Sequence, residues 1–415
     1  MNTFHQSPRS AIVIGAGIVG LSTAWHLQRH GISVTVIEKS GPAAGASWGN
    51  AGWVSPGLVM PLAEPGAWKH AARGLFDRNA PLRIPARLDP QLWKFLLQFA
   101  SNMTAKRWEK TVHALQPITS MVTESFAEMA SQGITSPLIA APLMAGFSTS
   151  GAATAFRTEI EKLREMGQSI DVQTAVAGGA RDILSSAVPH RLELSGQSYL
   201  DPGDFTCELA RSVKEDGGRV LENTAISHLA ENPYSVTAVT EFGDSLSADT
   251  VVIATGAWMS RLAAPWGLKL GVRAGRGYSF TVTGNNLPAG PLYFPEQRVV
   301  CTPYQGALRV AGTMEFRGPD EPMKTSRVDS ISHQVAPLLT GIDWGSRRGA
   351  WVGSRPVTPD GLPVVGALKS PRIFAAGGHG MWGVVLGPAT GKLLAQQIIT
   401  GVIPDAIAAF DPLRK

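Results

Sequence analysis

The chain opens on a short apolar run, Ala11-Ile12-Val13-Ile14, of the kind buried on both faces of a parallel sheet. Gly15-Ala16-Gly17-Ile18-Val19-Gly20 follows, and then a helical segment that ends near His30 with Gly31 as its cap. Ile32-Ser33-Val34-Thr35-Val36-Ile37 is β-branched and leads into Glu38. This is one complete strand–helix–strand unit. From Pro56 to Thr111 the texture changes to Pro-rich turns, with Leu92, Phe95, Leu96, Phe99 and Met103 spaced as one face of a helix. Residues 111–132 read as a further helix, and irregular or strand-like material runs on to about Pro189.

The opening texture then returns. Asp201-Pro202 looks like a helix start, Phe205 to Asp216 carries the helix, and Gly217-Gly218 stops it before Arg219-Val220-Leu221 resumes the sheet. Val251-Val252-Ile253-Ala254 runs into Thr255-Gly256. Period-two alternation from about Val272 to Val310 predicts antiparallel strands. The tail reads as a strand from Ile373 to Ala376, a glycine-rich loop, and a last helix from Pro388 to about Thr400. The expected fold class is therefore α/β. A doubly wound, Rossmann-like domain would be built from residues 1–58, 195–265 and 350–415. A second domain of mixed antiparallel sheet and helices would be interleaved from 59–194 and 266–349.

Composition narrows the function class. Apolar residues make up 44 % of the 415 and charged residues 17 %, enough for large buried cores. The net charge of +5 invites a nucleic-acid reading, but no basic run exceeds a pair such as Arg347-Arg348, so no nucleic-acid partner is expected. A mild positive field suits anionic small molecules or an acidic membrane surface. The two cysteines, Cys207 and Cys301, form no disulfide framework and no metal motif, and no metal site is expected. With no signal peptide and no apolar run of about 18 residues, the expected location is cytoplasmic, compatible with peripheral contact at the inner face of the cell membrane.

The chemistry-bearing motif is the first glycine run. In Gly-x-Gly-x-x-Gly the glycines at 15, 17 and 20 allow a tight turn, close approach to a pyrophosphate, and close helix–strand packing. Glu38, twenty-three positions after Gly15, is placed to take the hydroxyls of an adenosine ribose. The motif alone leaves NAD and FAD open. Ser47-Trp48-Gly49-Asn50-Ala51-Gly52 comes where a nicotinamide enzyme usually runs its crossover helix. It offers a polar turn suited to a phosphate or a polyol, which favours FAD.

The run from Gly45 to Gly57, Gly-Ala-Ser-Trp-Gly-Asn-Ala-Gly-Trp-Val-Ser-Pro-Gly, resembles the small-subunit family of FAD-dependent D-amino acid dehydrogenases. That family lies within the group of D-amino acid, glycine and sarcosine oxidoreductases. Arg276-Gly277-Tyr278-Ser279, Gly312-Thr313-Met314-Glu315, the run from Gly353 to Gly361, and Gly377-Gly378-His379-Gly380 are similar to its later motifs. The resemblance implies that Gly15, Gly17, Ile18, Val19, Gly20, Glu38 and Lys39 hold the ADP half of FAD. Ser47, Asn50, Ala51 and Gly52 would contact the pyrophosphate and ribityl region. Ala225, on the strand after Gly217-Gly218, would meet adenine, and Thr255 and Gly256 would flank the cofactor. Gly380, Met381, Trp382 and Gly383 would lie along the flavin, with the helix starting at Pro388 aimed at its edge.

Arg355 is the expected partner of a substrate carboxylate, because a planar fork of donors matches that group bidentately. Tyr278 is a candidate wall or hydrogen-bond donor, Glu315 either an amine partner or a structural carboxylate, and His379 either a base or a prop. With no cysteine where flavinylated relatives carry one, FAD is expected to be non-covalent. The expected reaction is oxidative deamination of a D-amino acid, with electrons passed to a quinone or another carrier. Three alternatives stay open: a D-proline- or hydroxyproline-type cyclic substrate, an oxidase using oxygen, and a non-catalytic FAD-binding subunit of a larger complex.

Overall fold

The computed structural model describes residues 7–65, 82–84, 88–176, 178 and 182–414. The part of the Pro-rich stretch at 66–81 and 85–87 lies outside the described residues.

The opening apolar run forms the strand Ser10–Ile14 at the centre of a six-stranded sheet. Across the sheet the order is Arg219–Leu221, Ser33–Ile37, Ser10–Ile14, Thr250–Ile253, Ile373–Gly377 and Val364–Ala367. The first five are parallel and the last pairs antiparallel. Alternation along Ser10–Ile14 explains why both faces are covered. Ala11 and Val13 face a helical layer of Ile18–Arg29, Pro202–Glu215 and Gly383–Thr400. Ile12 and Ile14 face a small antiparallel sheet of Ile226–Glu231, Val236–Thr240 and Ser245–Ala248.

Helix ends follow local chemistry. Asp201 accepts from the Gly203 and Asp204 amides with Pro202 at the first helical position, so this helix begins at Pro202, where the Asp-Pro pair marks it in the sequence. The region read as one helix over 111–132 is two, Ala105–Thr119 and Val122–Ser131, broken at Ser120. The stretch read as irregular or strand-like up to Pro189 contains the helix Ser150–Glu165. Thr149 caps it, and Phe156, Ile160 and Leu163 are its buried stripe. The helix Pro90–Ser101 carries the expected pattern, and that pattern is core: Leu92, Phe95 and Phe99 are buried against Met314, Phe316 and Val357.

The second layer is one large mixed sheet. Its path runs Ile342–Val357, Arg273–Gly284, Ala307–Phe316, Val299–Tyr304, Leu292–Phe294, Leu143–Phe147, His190–Ser195 and Asp171–Thr174. Leu82–Arg83 joins beside Ala307–Phe316. Ile342–Val357 is an edge strand and crosses position 350, reaching the six-stranded sheet's loops at Gly256–Trp258. Between the two sheets lies an elongated cleft of about 650 Å³. No helix among the described residues is long and apolar enough to cross a membrane.

Candidate functional site

One end of the cleft is made by the first glycine run. Gly15 has φ +112°, and a Cβ there would lie 2.5 Å from the Ala254 carbonyl oxygen. A Cβ on Gly20 would lie 2.0 Å from the Gly15 carbonyl oxygen, so the helix rests directly on the strand turn. Gly17 differs: its Cβ would meet only Ser47 Oγ, at 3.5 Å, and otherwise enter the cleft. Ser47 Oγ accepts from the Ile18 amide at 3.2 Å, while Val19 and Gly20 line the cleft in the helix's first turn, where amides have no intrahelical partner. Glu38 lines the same end and is fixed by the Ala16 amide (2.8 Å) and the Ser40 amide (3.1 Å).

The turn at 47–52 is bolted to the large sheet. Ser279 Oγ donates to the Gly49 carbonyl at 2.8 Å, and Thr302 Oγ1 and the Tyr304 hydroxyl both donate to the Ala51 carbonyl. Asn50 Oδ1 accepts from the Gly52 amide. Ser47 and Asn50 line the cleft. Ala51 and Gly52 do not: they face the sheet, where a Cβ on Gly52 would overlap the Tyr304 hydroxyl. Their part is to fix the turn.

Ala225 lines the cleft but stands in the turn before Ile226–Glu231, not on a strand, because Arg219–Leu221 ends at the sheet edge four positions earlier. Thr255 and Gly256 also line it, and Thr255 Oγ1 is buried with no partner. Lys39 lies 3.6 Å over the Trp258 ring, and Asp320 accepts from both Lys39 Nζ (3.3 Å) and Trp258 Nε1 (2.9 Å). The sequence reading missed Trp258 and Asp320; they are distant in the chain and no local pattern marks them.

At the other end, Arg355 borders the cleft from the edge strand. Its Nη1 donates to the Thr313 carbonyl at 3.1 Å, and no acidic side chain pairs with it among the described residues. Burial alone pulls its pKa down to about 10. The neighbouring loop is tied to the same strand: His379 bridges to Val357, and the Gly380 amide donates to the Pro356 carbonyl. The helix after it begins at Gly383, not Pro388; Pro388 sits inside the helix, whose first turn has the free amides that Gly383 and Val384 bring to the cleft. Met381 and Trp382 are not cleft-lining. Met381 packs beside Phe95 and Met314, and Trp382 Nε1 donates to the Met60 carbonyl.

Tyr278 is also elsewhere. Along Arg273–Gly284, Gly277 and Ser279 point toward the cleft side, while Tyr278 and Phe280 point under the helix Thr325–Val335. The Tyr278 hydroxyl donates to fully buried Glu315 at 3.0 Å, and burial with that carboxylate pushes its pKa up to about 12. Glu315 also meets Lys324 (3.3 Å), Arg83 and Arg317, so it is a structural carboxylate. His379 is buried, its pKa lowered to about 4 by desolvation, with Nε2 at 2.9 Å from Thr390 Oγ1.

These features suit a long dinucleotide with a pyrophosphate. A glycine cradle open at Gly17, the neighbouring N-termini of the helices Ile18–Arg29 and Gly383–Thr400, the carboxylate of Glu38, and Thr255 with its buried, unpartnered hydroxyl all line one cleft. Comparisons with known proteins agree. The family model described as FAD dependent oxidoreductase matches residues 10–397. The chain is 30 % identical to a D-amino acid dehydrogenase of Vibrio vulnificus, over 97 % of this chain and 99 % of that protein. It is 30 % identical to a D-amino acid dehydrogenase of Agrobacterium fabrum, over 95 % and 96 %. In fold it is similar to glycine oxidase from Bacillus cereus (TM-score 0.73, 17 % identity, covering 98 % and 99 %). It is likewise similar to L-proline dehydrogenase from P. horikoshii (TM-score 0.69, 18 % identity, covering 99 % and 98 %). A match over nearly the whole chain, on a cleft with these features, makes this protein a member of the DAO family of FAD-dependent oxidoreductases.

Proposed function

We propose that the chain oxidises a D-amino acid to its imino acid. The observation that carries this is Arg355: a guanidinium with no carboxylate partner among the described residues, bordering the cleft beside Gly380. A desolvated cation without an anion is costly unless a ligand supplies one. A carboxylate also fits its fork. The D configuration follows the relatives at 30 % identity, which are D-amino acid dehydrogenases.

Bound FAD supplies the two-electron acceptor. Arg355 holds the carboxylate, and the loop at His379–Gly380 closes against the same strand, fixing the substrate's place along the cleft. His379 stays neutral and bonded to Thr390, which leaves it a prop rather than a base. The amine therefore enters as the free base, its lone pair driving loss of hydride from Cα. A linear imine then hydrolyses to a 2-oxo acid and ammonia. The same reading takes electrons onward to a carrier such as a quinone, with FAD held non-covalently by the residues of the cleft.

A second reading concerns substrate shape. The stretch from Leu58 to Pro65 carries no tyrosine, and a compact cyclic imino acid such as D-proline or a hydroxyproline is the alternative substrate. The experiment is anaerobic flavin bleaching by a panel of D- and L-amino acids and cyclic imino acids, followed by an oxygen-electrode trace with the best substrate. Bleaching by D-compounds without rapid oxygen uptake is expected. Bleaching by L-compounds alone overturns the assignment, and rapid oxygen uptake with peroxide makes the protein an oxidase.

A further inference from the structure

We infer that Gly277 and Thr313 are positioning residues for Arg355, together setting the guanidinium against the sheet so that its free donors face the cleft. The inference rests on the carboxylate-binding reading of Arg355.

Gly277 lies on the strand next to Arg355, in register with Gly353. A Cβ on Gly277 would come within 2.2 Å of Arg355 Cζ and Nη2 and 2.5 Å of Nη1. The guanidinium therefore lies flat on the backbone at this position, in space that any side chain would take. This is a steric need, not a conformational one, since Gly277 has no positive φ.

On the other flank the ladder is irregular. Arg276 pairs with Glu315 but Tyr278 with Gly312, so Thr313 and Met314 together oppose the single residue Gly277. This is a bulge, a device that re-aims groups beside functional sites. Thr313 takes φ +60°, a left-handed conformation that is a genuine outlier for a β-branched residue. Its hydroxyl is buried without a partner, so no side-chain bond offsets the strain. What the conformation does deliver is the Thr313 carbonyl to Arg355 Nη1 at 3.1 Å. A neutral acceptor there fixes one donor of the fork while leaving its charge uncompensated. A carboxylate at this place would fix it equally well and abolish its use. Strain retained at such a point is the mark of a position held for a purpose.

The test uses the holoenzyme and benzoate as a simple carboxylate probe, with Kd read from the perturbed flavin spectrum. Gly277→Ala is expected to keep FAD and weaken benzoate at least about tenfold, the scale of losing a bidentate charged contact. In an Arg355→Leu background, already weak, the same substitution is expected to change Kd by less than about twofold, because the two act through one group. Equal losses in both backgrounds, or no loss in the native background, overturn the positioning role. If Arg355→Leu itself binds benzoate like the native protein, the carboxylate reading beneath it fails instead. Thr313→Gly covers the case in which Gly277→Ala does not fold. It removes the strain but frees the carbonyl, so a higher Tm with about two- to fivefold weaker benzoate is expected. A lower Tm or an unchanged Kd contradicts the role given to Thr313.

Discussion

Nε2 of His379 lies 2.9 Å from Oγ1 of Thr390, and both side chains are buried. The pair ties the loop carrying Gly380 to the helix Gly383–Thr400, and burial lowers the imidazole to about 4, so it is neutral at working pH. His379→Asn should then lower kcat/KM by less than about tenfold, below the range of a lost general base. A rise of kcat/KM with pH, expected if the substrate amine must lose its proton, should stay in place. A pH profile flattened by this variant would reassign His379 as the base.

The same burial has a stability signature. His26, on the first helix, is lowered to about 4 as well, by desolvation that the charge of Glu128 only partly opposes. Both groups bind protons more readily when unfolded, so the unfolded state gains protons as pH falls below about 6.5 while the folded state waits until about 4. Stability should therefore fall as pH drops through this window, by on the order of 3 kcal/mol for each histidine at its lower end. Tm measured between pH 6.5 and 5 should decline less steeply in His379→Gln than in the native protein. Parallel curves would show that His379 is not held neutral.

Glycines of one motif should separate by experiment. Gly20→Ala places a methyl against the Gly15 carbonyl and should destabilise the fold even without cofactor, by about 1–3 kcal/mol or more. Gly17→Val intrudes on the cleft instead, so the apoprotein should fold near normally and fail to retain FAD. Native protein should be yellow and release its FAD on acid precipitation. Colour that stays with the precipitate would mean covalent attachment.

The parts of the site readable from sequence are those in which spacing alone sets geometry. Gly15 through Glu38 form one contiguous unit, and its cradle is a property of that unit. Arg355 was found by its motif, but what makes it available was not visible. The bulge at Thr313 and the absence of a side chain at Gly277 act from strands 42 and 78 positions away in the chain. Tyr278 was misplaced for the same reason: alternation was clear, but which face met the cleft depends on the partner strands. Pro388 was read as a helix start although the helix tolerates it in its second turn, where Gly383 to Gly387 already supply the N-terminus. The helix Ser150–Glu165 was overlooked despite its Thr149 cap and its Phe156, Ile160, Leu163 stripe.

The helix Pro90–Ser101 has two apolar faces with different duties. Phe95 is 2 % exposed and packs on Phe99 and Phe316, so Phe95→Asp should unfold the protein locally or wholly. Trp93 and Leu97 are exposed on the other side, near Lys94 and following exposed Leu88. If electrons pass to a membrane quinone, this face is the candidate contact. Leu97→Asp should leave the unfolding free energy within about 1 kcal/mol of native and reduce flotation with anionic liposomes at low salt. No flotation of the native protein would remove the membrane from the account.

The central claim is that Arg355 holds the carboxylate of an amino acid while Cα is oxidised beside Gly380. Its most direct measurement is the rate of anaerobic flavin reduction on rapid mixing with a good D-amino acid and with the matching amine that lacks the carboxylate, in native protein and in Arg355→Lys. The native protein should prefer the acid by about tenfold to more than a hundredfold in the limiting reduction rate divided by Kd, and Arg355→Lys should lose most of that preference while its oxidised flavin spectrum stays normal. Equal preference in the two proteins would contradict the assignment and move the carboxylate to another residue.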